Sequence, residues 1–93
     1  MSNPSFREII REPEFEEQLA RLQPNAEEAD DFTLGAEYVL ASNPKSGIPA
    51  TSDGNVWYLP MCPVRGRRVS LFYSFDEDTV YFLSILAHDE DRA

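Results

Sequence analysis

Cysteine, histidine and basic residues are scarce in this chain of 93 residues, and it contains no long apolar run. Its one cysteine excludes an internal disulfide framework and a zinc site built from several cysteines. No stretch approaches the roughly 20 apolar residues of a membrane span, and the first residues have neither the basic nor the apolar region of a secretory signal. We therefore expect a single domain over residues 1–93, located in the cytoplasm and not associated with a membrane.

Acidic side chains outnumber basic ones by 17 to 8, which gives a formal net charge of −9. Hydrophobic residues make up 42% of the chain, which is too much for a disordered protein. The acidity argues against binding nucleic acid over the whole surface, because such binding needs many phosphate contacts. Residues 56–75 contain Arg65, Arg67 and Arg68 and no acid. We expect any phosphate-binding site at these arginines, although a solvated surface turn explains them equally well.

The N-terminal half predicts a short strand followed by two helices. Alternating side chains indicate a strand over residues 6–10. Pro13 suits the first turn of a helix, and residues at helical spacing form one apolar stripe: Phe15, Leu19 and Leu22. A second helix is predicted over residues 26–42, because Asn43-Pro44 ends it. Its apolar face comprises Ala29, Phe32, Ala36, Val39 and Leu40. The short connection makes the pair a helical hairpin.

The C-terminal half predicts strands after a connecting loop at residues 45–55. The first covers residues 56–61 and contains Pro60, which places it at an edge or ends it nearby. Residues 69–75 alternate with a period of two, and residues 79–86 form a central strand that is apolar on both faces. One of those two faces comprises Val80, Phe82, Ser84 and Leu86. The prediction is an α+β fold of order β-α-α-β-β-β, an antiparallel sheet with the helical hairpin packed on one face.

Several segments together carry a family resemblance. The N-terminal ones are the short first strand and a helical hairpin that ends near Leu40, Asn43-Pro44 and Gly47. The C-terminal ones are the strands Val56-Trp57-Tyr58-Leu59 and Val69-Ser70-Leu71-Phe72-Tyr73, an acidic turn, and the strand from Thr79 to Ile85. In element order and residue class the chain resembles the RelE/ParE superfamily, the toxins of bacterial type II toxin–antitoxin systems. The resemblance covers residues 6–88 and is most specific from Val69 to Ile85.

The resemblance implies one of two activities and a protein partner. RelE-like members cleave mRNA in the ribosomal A site, and ParE-like members poison DNA gyrase. An antitoxin that packs on the toxin keeps both kinds silent. For a ribosome-dependent endoribonuclease, the matching positions imply His88 and Arg68 as catalytic residues and Arg65 and Arg67 as substrate-binding residues. The sequence has no metal-ligand spacing, phosphate-binding glycine loop or nucleophile triad, so no cofactor or metal is expected.

These residue types suit RNA cleavage, and each also has an ordinary structural explanation. Histidine changes charge near neutral pH and can accept or donate a proton, while arginine matches phosphate oxygens. His88 is otherwise a solvated residue next to an acidic tail. Four aromatic residues either stack on bases or belong to the core: Trp57, Tyr58, Tyr73 and Tyr81.

Two features depart from the nuclease members of the family. Ser70 stands where the RelE type tends to have an arginine, and the chain is acidic where nuclease members are usually basic. Three functions therefore stay open at this stage: an mRNA endoribonuclease, a gyrase inhibitor without catalysis, and a non-toxic member that only binds an antitoxin.

Overall fold

Among the residues that the structure describes, five strands form one sheet, and two helices cover one of its faces. The computed structural model describes residues 6–64 and 66–88. The elements in chain order are β1 (Glu8–Arg11), α1 (Pro13–Leu22), α2 (Ala26–Ser42), a 3₁₀ turn (Pro44–Ser46), β2 (Ile48–Pro49), β3 (Trp57–Val64), β4 (Arg67–Phe75) and β5 (Thr79–His88). The α+β class and the helical hairpin on one face are confirmed.

Both helices follow the predicted boundaries. Pro13 occupies the first position of α1, where its missing N–H costs nothing, and α2 is capped by Asn25, whose side chain accepts a hydrogen bond from the Glu28 N–H. The apolar stripe of α1 is confirmed, since Phe15 and Leu19 are buried. The face of α2 differs in part: Val39 is exposed, and the buried residues are Ala29, Thr33, Ala36, Leu40 and Ala41.

The sheet is mixed, so the predicted all-antiparallel arrangement is wrong. The strands lie in the order β1-β5-β4-β3-β2, and β1 pairs with β5 in parallel. The difference comes from β2, a two-residue strand within the segment predicted as a loop. It adds one reversal of chain direction between α2 and β3, so β5 runs in the same direction as β1. The prediction that β5 lies inside the sheet is confirmed.

β3 continues through Pro60 to Val64, three residues beyond its predicted end. On its outer side, the described structure pairs only Trp57 and Tyr58 with β2. The Ala50 N–H donates a hydrogen bond to the Val56 C=O on this outer side. The backbone N–H and C=O groups of every second residue from Val56 onward, Tyr58 and Pro60 included, therefore face the outer side of β3. The missing N–H of Pro60 therefore falls where the described residues provide no sheet partner, as expected for a proline at an edge.

β4 alternates as predicted, and β5 does not. In β4, Val69, Leu71 and Tyr73 are buried. In β5, the pairing with β4 shifts between Phe82 and Ser84, so Leu83 is an extra residue that forms a β-bulge. Before the bulge the even-numbered residues Val80 and Phe82 are buried, and after it the odd-numbered Ile85 is buried, because the extra residue exchanges the two faces of the strand. The prediction that Ser84 and Leu86 share a face with Val80 and Phe82 is wrong for this reason.

The segment after α2 is held against the sheet by Tyr73. Its hydroxyl donates to the Pro44 C=O and accepts from the Gly47 N–H at 3.1 Å. Gly47 passes so close to the sheet that a Cβ atom there would lie 2.5 Å from the Tyr58 carbonyl oxygen, so only glycine fits. These contacts fix the position of β2 beside β3.

In the part of the chain that the structure describes, neither helix is long and apolar enough to cross a membrane.

Candidate functional site

β3, β4 and β5 have a second face that the described helices leave uncovered. Cross-strand partners share a face, so the pairs Tyr58 with Phe72 and Arg68 with His88 lie on this side. We call it the open face. Its side chains are Tyr58, Pro60, Arg68, Ser70, Phe72, Ser74, Tyr81, Ser84, Leu86 and His88.

The open face contains a groove with a volume of about 740 Å³. Apolar and aromatic residues from β3, β4 and the segment after β2 form most of its lining, and polar residues close one end. The lining comprises Pro49, Ala50, Tyr58, Pro60, Met61, Pro63, Arg68, Val69, Ser70, Phe72 and His88. The groove therefore combines flat apolar walls with a cationic, hydrogen-bonding end.

Arg68, Ser70 and His88 form the polar end of the groove. Arg68 and His88 are exposed and lie directly opposite each other on β4 and β5. Ser70 Oγ lies 3.3 Å from His88 Nε2, within hydrogen-bonding distance. Ser70 is a site residue that sequence reasoning noted only as a departure from the family pattern. The sequence signal for Ser70 was its spacing: in a strand, a residue two positions after Arg68 lies on the same face as Arg68.

The β-bulge at Leu83 places His88 on the open face, beside Arg68 and Ser70. In a regular strand, His88 would share a face with Val80 and Phe82, which are buried beneath the helices. The extra residue exchanges the two faces, and His88 then points to the same side as Arg68. Bulges commonly redirect a side chain in this way.

Of the other two predicted arginines, the structure describes Arg67 and does not bring it to this cluster. Arg67 precedes Arg68 in β4 and lines a different depression, together with Gln18, Arg21 and Leu22 on the helix side of the sheet. Arg65 lies outside the described residues. Of the predicted site residues, the structure therefore brings together His88 and Arg68.

The aromatic residues divide between the two faces. Tyr73 is fully buried and Trp57 packs against the core, whereas Tyr58 and Tyr81 lie on the open face. Tyr58 is joined there by Phe72, with ring centroids 5.7 Å apart and planes inclined by 35°. Phe72 is not among the aromatic residues predicted to stack on bases, although its alternation with the buried residues of β4 indicates the opposite face.

Charge is distributed unequally between the two layers. The two helices contain eight acidic residues and one basic residue, Arg21. Strands β3, β4 and β5 contain no aspartate or glutamate, and their basic residues are Arg67, Arg68 and His88. The acidic residues of the helices and the basic residues Arg68 and His88 of the open face therefore lie in different layers.

The arrangement suits proton transfer next to a bound anion. An imidazole can accept or donate a proton, and a guanidinium can stabilise negative charge that develops beside it. Within residues 6–64 and 66–88, no three histidine, cysteine, aspartate or glutamate side chains are grouped so that they could hold a metal ion.

No protein-family model matches this chain, and a search of the curated proteins finds no match to it.

Proposed function

We propose that this chain is the toxin of a bacterial type II toxin–antitoxin pair, of the RelE/ParE kind, and that it cleaves mRNA on the ribosome. The observation that carries the proposal is the position of Arg68 and His88, opposite each other on the open face at one end of an apolar groove. The resemblance of residues 6–88 to the superfamily supports it, and so does the α+β fold with a helical hairpin on one face.

In the proposed reaction, the ribose 2′-oxygen attacks the adjacent phosphorus and the bond to the 5′-oxygen breaks. The products are a 2′,3′-cyclic phosphate and a free 5′-hydroxyl. His88 accepts the proton of the 2′-hydroxyl, and Arg68 stabilises the negative charge on the phosphate oxygens. Ser70, within hydrogen-bonding distance of His88, orients the imidazole. Solvent or a ribosomal group protonates the leaving oxygen, since His88 is the one histidine of the chain.

The proposed partner is a cognate antitoxin. Large apolar side chains are exposed on the outer side of α2: Leu34 is 61% exposed and Tyr38 is 65% exposed, with the ring of Phe6 packed 5.3 Å from that of Tyr38. Exposed apolar groups that lie together are typical of protein interaction surfaces. This surface is separate from the groove, so a bound antitoxin also has room to extend toward the open face.

The test is to induce the chain alone in a bacterium and map the 5′ ends of mRNA fragments. We expect growth arrest and new ends within translated codons. His88→Ala and Arg68→Ala should each lower cleavage by about 100-fold or more. Arg21→Ala removes an exposed arginine of α1, which forms a surface ion pair with Glu17. As the matched control, it should leave cleavage unchanged.

The proposal fails if both site variants cleave as well as the parent chain. Double-strand DNA breaks without mRNA cleavage would instead identify a gyrase inhibitor. Normal growth on induction would identify a non-toxic member that only binds an antitoxin. The acidic helix layer favours these alternatives, since docking on ribosomal RNA depends on positive charge.

A further inference from the structure

We infer that Tyr58 and Phe72 form a platform on which one unpaired nucleobase of RNA stacks while its phosphate lies beside Arg68. The inference rests on the proposed function, because it names the part of the RNA that the same groove accepts. It assigns a specificity-determining role to two residues outside the cluster of Arg68, Ser70 and His88.

The two rings are placed by the sheet itself. Tyr58 and Phe72 are direct partners in the β3–β4 register, so their side chains leave the same face at the same height. Both line the groove and both are partly exposed. Their counterparts one residue away, Trp57 and Tyr73, are paired in the same register; Tyr73 belongs to the core and Trp57 packs against it. The alternation therefore selects one aromatic pair for packing and leaves the other facing the groove.

The remaining lining restricts what the groove accepts. Pro49, Pro60 and Pro63 provide flat apolar walls without N–H donors, and β3 to β5 contribute no acidic side chain. The hydrogen-bonding and cationic groups are grouped at the end formed by Arg68, Ser70 and His88. A ligand that matches this division has a planar, largely apolar part and an anionic part.

A nucleotide is such a ligand. The groove volume of about 740 Å³ lies within the range of pockets that bury small ligands. Arg68 is two residues from Ser70, and Ser70 is two residues from Phe72, so the anionic end and the platform follow each other along one strand. A base within a duplex is already stacked on both sides, and an unpaired base is free to stack on protein aromatic rings. The expected occupant is therefore single-stranded RNA.

The test measures binding of adenosine 3′-monophosphate and of inorganic phosphate to the purified full chain by NMR titration. Tyr58→Leu keeps an apolar side chain of moderate size and should weaken nucleotide binding about ten-fold or more, whereas Tyr58→Phe should leave it nearly unchanged. Neither variant should alter phosphate binding, while Arg68→Ala should lose both ligands. Tyr81→Leu, on the open face and outside the groove lining, is the matched control.

The inference is overturned if Tyr58→Leu, with an unchanged far-UV spectrum and melting temperature, binds the nucleotide as tightly as the parent chain. It is also overturned if the parent binds the nucleotide no better than phosphate. These outcomes are independent of the proposed function, which fails on a different readout. If the parent chain cleaves mRNA but shows no base stacking, the inference is wrong and the proposed function stands. If it stacks the base but does not cleave mRNA, the nuclease assignment is wrong and the inference stands.

Discussion

At the scale of single residues, Tyr73 links the core to the wall of the groove. Its ring lies in the core, and its hydroxyl donates a hydrogen bond to the Pro44 C=O and accepts one from the Gly47 N–H. Burial raises the pKa of Tyr73, although the hydrogen bond from Gly47 acts in the opposite direction. The hydroxyl is therefore protonated at neutral pH and can donate to Pro44. Through this contact, a residue on the helix-covered face of the sheet positions β2 and the groove wall beside it.

Tyr73→Phe should lower the free energy of unfolding by about 1–3 kcal/mol, because it leaves the Pro44 and Gly47 backbone groups without their partner. Urea unfolding followed by circular dichroism measures the change. Tyr81→Phe is the control: it removes a hydroxyl that makes a 3.3 Å contact with Asp76 at the surface, and its effect should be small. An equal loss in the two variants would show that the Tyr73 hydrogen bonds do not anchor the turn.

At the scale of elements, the sequence predicts each helix and each long strand, because their periodicities are strong and prolines mark their ends. It does not predict β2, which has two residues and no period, and so it misses the parallel pairing of β1 with β5. Nor does it predict the bulge at Leu83. Every residue around Leu83 is apolar or small, so either alternation fits the pattern. The position of His88 on the open face depends on that one extra residue.

The turn between β4 and β5 is stabilised by Asp76. Its carboxylate accepts hydrogen bonds from the backbone N–H groups of Asp78 and Thr79, each at 2.9 Å. These bonds, with the Tyr81 hydroxyl and the charge of Arg7, lower the pKa of Asp76 below its ordinary value of 3.8. A carboxylate whose pKa is lower in the folded state stabilises the fold above its ordinary pKa, and this contribution is lost as the pH falls through the lowered pKa.

Asp76→Asn should therefore reduce the free energy of unfolding at pH 7, and the difference from the parent should shrink as the pH falls below about 4. Urea unfolding at a series of pH values measures it. Glu77→Gln changes the charge equally at the next, exposed position and is the control. A difference between Asp76→Asn and the parent that is constant with pH would indicate that the charge of Asp76 does not stabilise the turn.

At the scale of the whole molecule, the fold separates charge into two layers. Eight of the acidic residues lie on the helices, and among the described residues β3, β4 and β5 contribute none to the open face. The smallest dimension of the described structure is 20 Å, and the Debye length is about 8 Å at physiological ionic strength and about 30 Å at 0.01 M. The helix acids therefore act on a ligand at the open face only when the salt concentration is low.

This separation predicts how the binding of single-stranded RNA depends on salt. Replacing Glu27, Glu28 and Asp31 of α2 with Gln, Gln and Asn should raise the affinity for an RNA oligonucleotide about two-fold at roughly 0.01 M salt, because unscreened repulsion across the molecule is then removed. At about 0.15 M salt the affinity should not change. Fluorescence anisotropy measures both, and the charge-preserving set Glu27→Asp, Glu28→Asp and Asp31→Glu is the control. An equal increase at both salt concentrations would mean that RNA contacts the helix layer itself, and the open face would then not be the binding surface.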